Sequence, residues 1–123
     1  AGMDVTVHRV GIILALDAGT ELAIIRIVQE SLTNVLRHAD GADAVVTISF
    51  ADHVTVEVTD NGTVRPPSTT AGGRGRGLIG MRERVDALGG TIIARPFAGR
   101  GYTVRVVLPI QESSVPAPVS GRS

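Results

Sequence analysis

A helical period runs unbroken through residues 18 to 39, and no other stretch limits the fold of this chain so strongly. The segment ELAIIRIVQESLTNVLRHA carries apolar residues three and four apart, the spacing of an amphipathic helix of about six turns. At about 100° per residue, Glu30, Asn34 and Arg37 fall within roughly 60° of one another, while Ile25, Val28, Leu32, Val35 and Leu36 cluster on the opposite side. The pattern predicts a polar face in solvent and an apolar face on a core. Asn34 is the odd member. Asn competes with the helix for backbone hydrogen bonds and favours caps and turns, so an amide one turn after Glu30 reads as a side chain with a task.

The elements around this helix follow from simpler signals. MDVTVHR alternates apolar and polar residues like a short strand and leads into GIILAL. Asp17 or Thr20 is positioned to cap the helix, and Asp40-Gly41 with Asp43 supplies turn chemistry at its end. AVVTISF and HVTVEVTD are β-branched runs separated by Ala51-Asp52, which predicts an antiparallel hairpin although Ala-Asp is not a favoured turn pair. The second run ends on Asp60. TVRPPSTTAGGRGRG lacks an apolar period and reads as a loop, with residues 63 to 76 expected to be mobile without a ligand. LIGMRERVDAL recovers the helical period and stops at Gly89-Gly90. TIIARPF and YTVRVVLP, joined by residues 98 to 101, predict a second hairpin. The tail QESSVPAPVSGRS is Ser- and Pro-rich and is expected to be disordered.

This order of elements predicts an α+β fold: a two-layer α/β sandwich, its sheet mixed but mostly antiparallel, its helices packed on one face. A chain of 123 residues, 43% hydrophobic, is long enough for one core and too short for two, so residues 1–110 read as the domain and 111–123 as its tail. Lys plus Arg equals Asp plus Glu at 12 each, which argues against nucleic-acid binding by bulk charge. Aromatics at 2% leave no stacking platform for single strands. With no Cys and three scattered His, neither disulfides nor a structural zinc are expected. No apolar run approaches the ~20 residues of a membrane span, and the N-terminal residues lack the order of a signal peptide. The domain is expected to be soluble and cytoplasmic with no direct membrane contact, whether or not its parent is membrane-anchored.

Three separated pieces carry chemistry. The first is the polar face of Glu30, Asn34, Arg37 and His38. The second is Asp60-Asn61-Gly62, where a strand-end carboxylate can accept from an exocyclic amine and a glycine lets a flat base approach; Asp-Asn-Gly is also an ordinary turn sequence. The third is GRGRGLIGMRER, whose glycines open a helix and offer N–H groups and the positive dipole end to phosphates. Gly75, Gly77 and Gly80 also spell the dinucleotide fingerprint G-x-G-x-x-G. That motif needs a strand running into the glycines and an acid about 20 residues on; a Pro/Ser/Thr loop precedes them and no acid occurs between Asp86 and Glu112.

Together the pieces resemble the catalytic and ATP-binding domain of sensor histidine kinases, the Bergerat fold shared with gyrase, Hsp90 and MutL ATPases. The chain is most similar to kinases of the NarL and DesK type: QESLTNVLRHA resembles their N box, DNG their first glycine box, and GRGLIGMRERVDALGG their second. The resemblance spans about residues 3 to 110. It implies ATP and Mg²⁺ as cofactors, Asn34 as an oxygen ligand to the metal, and Glu30 as the catalytic acid that orients or deprotonates the attacking group or a metal-bound water. Arg37 and His38 would lie near the phosphates. Asp60 would accept the adenine amino group with Gly62 giving the ring room. Gly75, Gly77, Leu78 and Gly80 would belong to the ATP lid and the helix opening at the phosphates.

Departures from the family pattern are specific. Position 64 is Val where many relatives have a second glycine, and Tyr102 precedes Thr103 where a Thr often follows the last glycine pair. None of His8, His38 or His53 sits in an acceptor-like helix with an acidic neighbour. The resemblance therefore implies partners outside this chain: the parent's own dimerisation and phosphoacceptor segment, a homodimeric parent, and a response regulator downstream. Two other readings share the fold, an anti-sigma-factor-type serine kinase and a degenerate nucleotide-binding interaction domain.

Overall fold

A computed structural model describes residues 3–11, 16–38, 42–62, 76–96 and 101–110, with the backbone alone at 38 and 76–78. In chain order these form β1 (Val5–Gly11), α1 (Ala18–His38), β2 (Ala44–Phe50), β3 (His53–Asp60), α2 (Arg76–Ala87), β4 (Thr91–Pro96) and β5 (Tyr102–Pro109). Segments 12–15, 39–41, 63–75, 97–100 and 111–123 lie outside the described residues, and with them the expected helix stop at Asp40-Gly41, the mobile loop, Gly75 and the disordered tail.

β-Branched residues at alternate positions build one five-stranded sheet of order β1-β2-β3-β5-β4. Both expected hairpins form, β3 pairs antiparallel with β5, and β1 lies parallel to β2. The sheet is therefore mixed and mostly antiparallel, as the element order predicts. Opposite residues Val46 and Val58 are both buried, so the register is held by the apolar face it creates. The first hairpin turns on three residues. Phe50 pairs with Val54 and the Ala51 N–H donates to the His53 carbonyl at 3.1 Å, which relieves Ala-Asp of a two-residue turn it would make poorly.

Both helices cover the same sheet face. Ile27 of α1 and Met81 and Val85 of α2 join Val54, Val56, Val106 and Leu108 in a single core, each side chain of this kind contributing about 1.5–3 kcal/mol by leaving water. Asp17 is the N-cap of α1: its Oδ1 accepts the Thr20 N–H at 2.9 Å and its carbonyl the Glu21 N–H at 3.0 Å. Thr20, the other cap candidate, is instead buried in the first turn. At the end of α2, Gly90 donates to Val85 and Gly89, at φ 79°, to Asp86; this is the Schellman arrangement that Gly89-Gly90 predicts.

The phase of α1 differs from the simple amphipathic expectation. Its buried residues are Thr20, Ala23, Ile24, Ile27, Ser31 and Val35, whereas Ile25 and Leu36, expected on the core, are 52% and 60% exposed. Apolar residues surround most of this helix, so hydrophobicity alone does not select the core side. Packing selects the face with the small residues Ala23 and Ser31, which lets the helix approach closely. The polar face is consequently a shoulder of the core side, with Glu30 and Asn34 half-buried at its rim.

Strand directions decide which ends meet. β1 and β2 both start beside the Asp60 end of the sheet, since Val5 pairs with Ala44 and Ala44 with Asp60. α1 must therefore begin at the far end and run back, bringing its Glu30–His38 half to the Asp60 end. β4 starts at Thr91 opposite Val107, near the far end, so α2 stops there and its Arg76–Gly80 turn also points to the Asp60 end.

Candidate functional site

That end of the sandwich gathers the three sequence pieces. Ser31 and Met81 fix the crossing of the helices, the hydroxyl donating to the Met81 sulfur at 3.8 Å inside the core. One turn beyond Ser31 along α1 is Asn34, and one turn before Met81 along α2 is Gly77. The C-terminal half of α1 and the N-terminal turn of α2 thus flank the end of β3. Glu30 and Asn34 are half-buried and Arg37 is exposed; His38 closes the helix, its side chain outside the described residues.

Asp60 lies at the floor. It is 3% exposed although it is a carboxylate, and its Oδ1 accepts the Gly62 N–H at 2.9 Å. This bond turns the chain sharply after the strand and fixes the carboxylate plane. Asn61 points the other way and holds the turn to β2: Asp43 N–H donates to its Oδ1 at 2.9 Å, and its own N–H donates to the Asp43 carbonyl at 3.2 Å. Gly62 returns a bond to β5 by accepting from the Gly101 N–H at 3.0 Å. Every residue of Asp-Asn-Gly is therefore tied, and the turn is a rigid support.

Gly101 is a site residue that the sequence motifs did not single out. It has φ 84°, and a Cβ there would stand 2.1 Å from the Asp60 carbonyl oxygen. Only glycine allows β5 to start against the end of β3. The one sequence signal was a glycine three residues past Ala98, indistinguishable from an ordinary hairpin glycine. Tyr102 pairs with Asp60 and is buried, whereas Thr103 pairs with Thr59 and its hydroxyl lies 3.0 Å from the Thr59 hydroxyl. Strand alternation thus turns Thr103 to the sheet face opposite Asp60.

Gly80 leaves real space. A Cβ built on it meets no atom within 4 Å, so it is not demanded by packing. Gly77 and Leu78 lie in the first turn of α2, described by their backbone, and Gly75 lies outside the described residues. The N-terminal N–H groups of a helix, free of partners within it, present positive potential at this end. Among the described residues no three His, Cys, Asp or Glu side chains gather as a metal cluster. The hard oxygen donors here are the Asn34 amide and the Glu30 carboxylate on one rim. Such a pair suits a cation that brings its other ligands with a phosphate.

Comparisons with known proteins bear on this arrangement. Residues 19–112 match the family model described as histidine kinase-, DNA gyrase B-, and HSP90-like ATPase. The chain is 36% identical over 92 residues to the sensor histidine kinase YxjM of Bacillus subtilis (strain 168), an alignment covering 74% of this chain and 22% of that protein. The chain thus spans about a fifth of the length of this curated relative. Among solved structures, the histidine kinase domain of the Erythrobacter litoralis EL346 blue-light activated histidine kinase superposes with TM-score 0.65 at 26% identity, over 86% of this chain and 55% of that one. The mycobacterial sensor histidine kinase MprB gives TM-score 0.69 at 20% identity, over 89% and 83% of the two chains.

Proposed function

This chain belongs to the histidine kinase-, DNA gyrase B- and HSP90-like ATPase family, and from that premise we propose that it is the ATP-binding catalytic domain of a sensor histidine kinase, of the NarL and DesK type, passing the γ-phosphate of ATP to a His outside this chain. The observation that carries the reading is the convergence of a buried, oriented Asp60, the Glu30–Asn34 rim and the opening turn of α2 at one end of the sandwich.

Each residue then has a physical task. Asp60, turned by Gly62, accepts the adenine amino group in a dry floor where an unmatched partner would be costly. Gly62 and Gly80 leave room for the base and for phosphates. The first turn of α2, including Gly77 and Leu78, offers N–H groups to the phosphates, and Gly75 would belong to the ATP lid. Arg37 supplies positive charge at the end of α1, with His38 next to it near the phosphates. Asn34 would hold Mg²⁺ by its amide oxygen, the ion adding charge neutralisation on the triphosphate when bound. Glu30 orients the attacking group or takes its proton. Phosphoryl transfer is mostly positioning and charge stabilisation, which half-buried groups on a helix anchored to the core can supply.

The partners are correspondingly external: the parent's dimerisation and phosphoacceptor segment, through which the parent is a homodimer, and a response regulator. The domain works in the cytoplasm; among the described residues no helix is long and apolar enough to cross a membrane. Residues 1–110 make the domain and 111–123 its tail. The test is transfer in trans. Radiolabelled ATP given to the chain alone should leave it unlabelled, and an added phosphoacceptor segment of the parent should gain acid-labile label. Acid-stable label on a serine of a partner would make it a serine kinase of the same fold, and tight ATP binding with no transfer would make it a non-catalytic interaction domain.

A further inference from the structure

The face of α1 turned away from the core carries its own order. Ala18, Leu22, Ile25, Gln29, Leu32 and Leu36 follow one another at spacings of four and three, the a/d alternation of a two-stranded coiled coil. Leu22 and Ile25 are each 52% exposed, Leu36 60%, and Ala18 and Gln29 are exposed. Leu32 is half-buried, packed against the cluster of Val35, Ala42 and Ala44. At about 100° per residue this seam is centred roughly 150° from the buried residues of the helix. Apart from Leu32 at its edge it therefore points away from the sheet, where another helix can lie along it.

We infer that this seam pairs with the same seam of a second copy, the two α1 helices running parallel. The identity and order of the residues select this occupant. With Leu22, Gln29 and Leu36 at a and Ala18, Ile25 and Leu32 at d, a parallel pair sets Gln29 against Gln29 across the two-fold axis. A primary amide both donates and accepts, so the two satisfy each other, and a single polar a residue fixes register and favours two strands. The flanking charges agree. Glu21 falls at g and Arg26 at the next e, both exposed, and in a parallel pair these positions face each other from opposite chains twice. An antiparallel pair would instead bring the two Arg26 side chains together near its axis. The seam is remote from the Glu30 and Asn34 rim, so pairing leaves the nucleotide end open.

Its strength follows from its length. Fewer than three heptads make a small interface, in the class of weak and transient contacts. Two copies already tethered in one parent would meet at an effective concentration near millimolar, which is where such a contact becomes populated.

Sedimentation of the full chain from about 10 µM to about 1 mM tests this: the weight-average mass should climb from one chain toward two. Ile25→Glu should hold it at one chain with an unchanged melting temperature. Glu21→Arg and Arg26→Glu should each weaken pairing about tenfold, because each alone sets like charges across both e/g pairs. An equimolar mixture of those two variants restores opposite charges and should associate more tightly than either alone. A chain that stays monomeric throughout, or that stays monomeric while binding a separate phosphoacceptor helix through Ile25, overturns the inference. So does a mixture that gains nothing over its components, since only the parallel register predicts rescue.

Discussion

Gly101 and Asp60 touch backbone to backbone: the α-carbon of one is turned so that a side chain on it would overlap the carbonyl oxygen of the other. The start of β5 is thus stacked on the residue proposed to recognise the base, and a change at position 101 should be felt at position 60. Gly101→Ala combines a Cβ overlap with a left-handed φ, and should cost about 2–4 kcal/mol. Thermal unfolding should show a drop of roughly 10 °C or more, with ATP affinity falling alongside. Gly80→Ala is the contrast, because open space and a helical position predict a neutral or slightly raised melting temperature. An unchanged melting temperature in Gly101→Ala would show that the strand end relaxes freely.

Asp60 separates base recognition from folding. In Asp60→Asn the side-chain oxygen can still accept from Gly62, but the amide nitrogen turns a donor toward the adenine amino group. ATP affinity should fall ten- to hundredfold, about 1–3 kcal/mol, with most stability retained. Calorimetry with ATP and GTP checks this. If the variant binds ATP like the parent and still rejects GTP, the adenine assignment is wrong.

Asn34 is half-buried at the rim and outside the core clusters. Asn34→Ala should therefore keep the fold, shown by an unaltered melting temperature, and lose the Mg²⁺-dependent part of ATP binding. Titration with ATP in EDTA should give equal affinities for variant and parent. Equal affinities in Mg²⁺ as well would remove Asn34 from the metal.

The acid limb of stability should report on Asp17. Its carboxyl is held below the ordinary value of 3.8 by the Thr20 side chain and then by the Thr20 N–H. A folded value below the unfolded one means the cap's charge contributes fully above pH 3.8 and is lost as the pH falls through the lower, folded value. Asp17→Asn keeps a good N-cap without the charge, so it should be slightly less stable than the parent near neutrality, and the two should converge as the pH falls in acid. Parallel curves for the two proteins across the acid range would contradict the role of the charge.

How much of this was legible in the sequence depends on the range of the signal. The hairpins were, because alternation in HVTVEVTD and YTVRVVLP is local and its period is that of a strand. So was the end of α2, since Gly89-Gly90 acts through bonds to Val85 and Asp86 a few residues away. The three site pieces were legible as motifs, and strand direction explains why they meet. The phase of α1 was not, because Ile25 and Leu36 are as apolar as Ile24 and Val35, and only the shape of the partner sheet decides between them. The Gly101 approach to Asp60 and the Asp43 bonds to Asn61 link residues far apart in the chain, where neither period nor propensity reaches.

The closing turn of α2 has a mechanical meaning. Gly90 is wedged so tightly that a Cβ would overlap the Val107 carbonyl oxygen, with Val85 and Leu108 buried beside it. That end is clamped and Met81 is held against Ser31 at mid-helix, so the turn that reaches toward the proposed phosphate site is a short lever with its fulcrum at Met81. A tilt of about 20° over the roughly 8 Å before Met81 would sweep the first-turn N–H groups through roughly 3 Å, the span of one hydrogen bond. A grip on phosphates there would then be an angular matter, governed where α2 crosses α1.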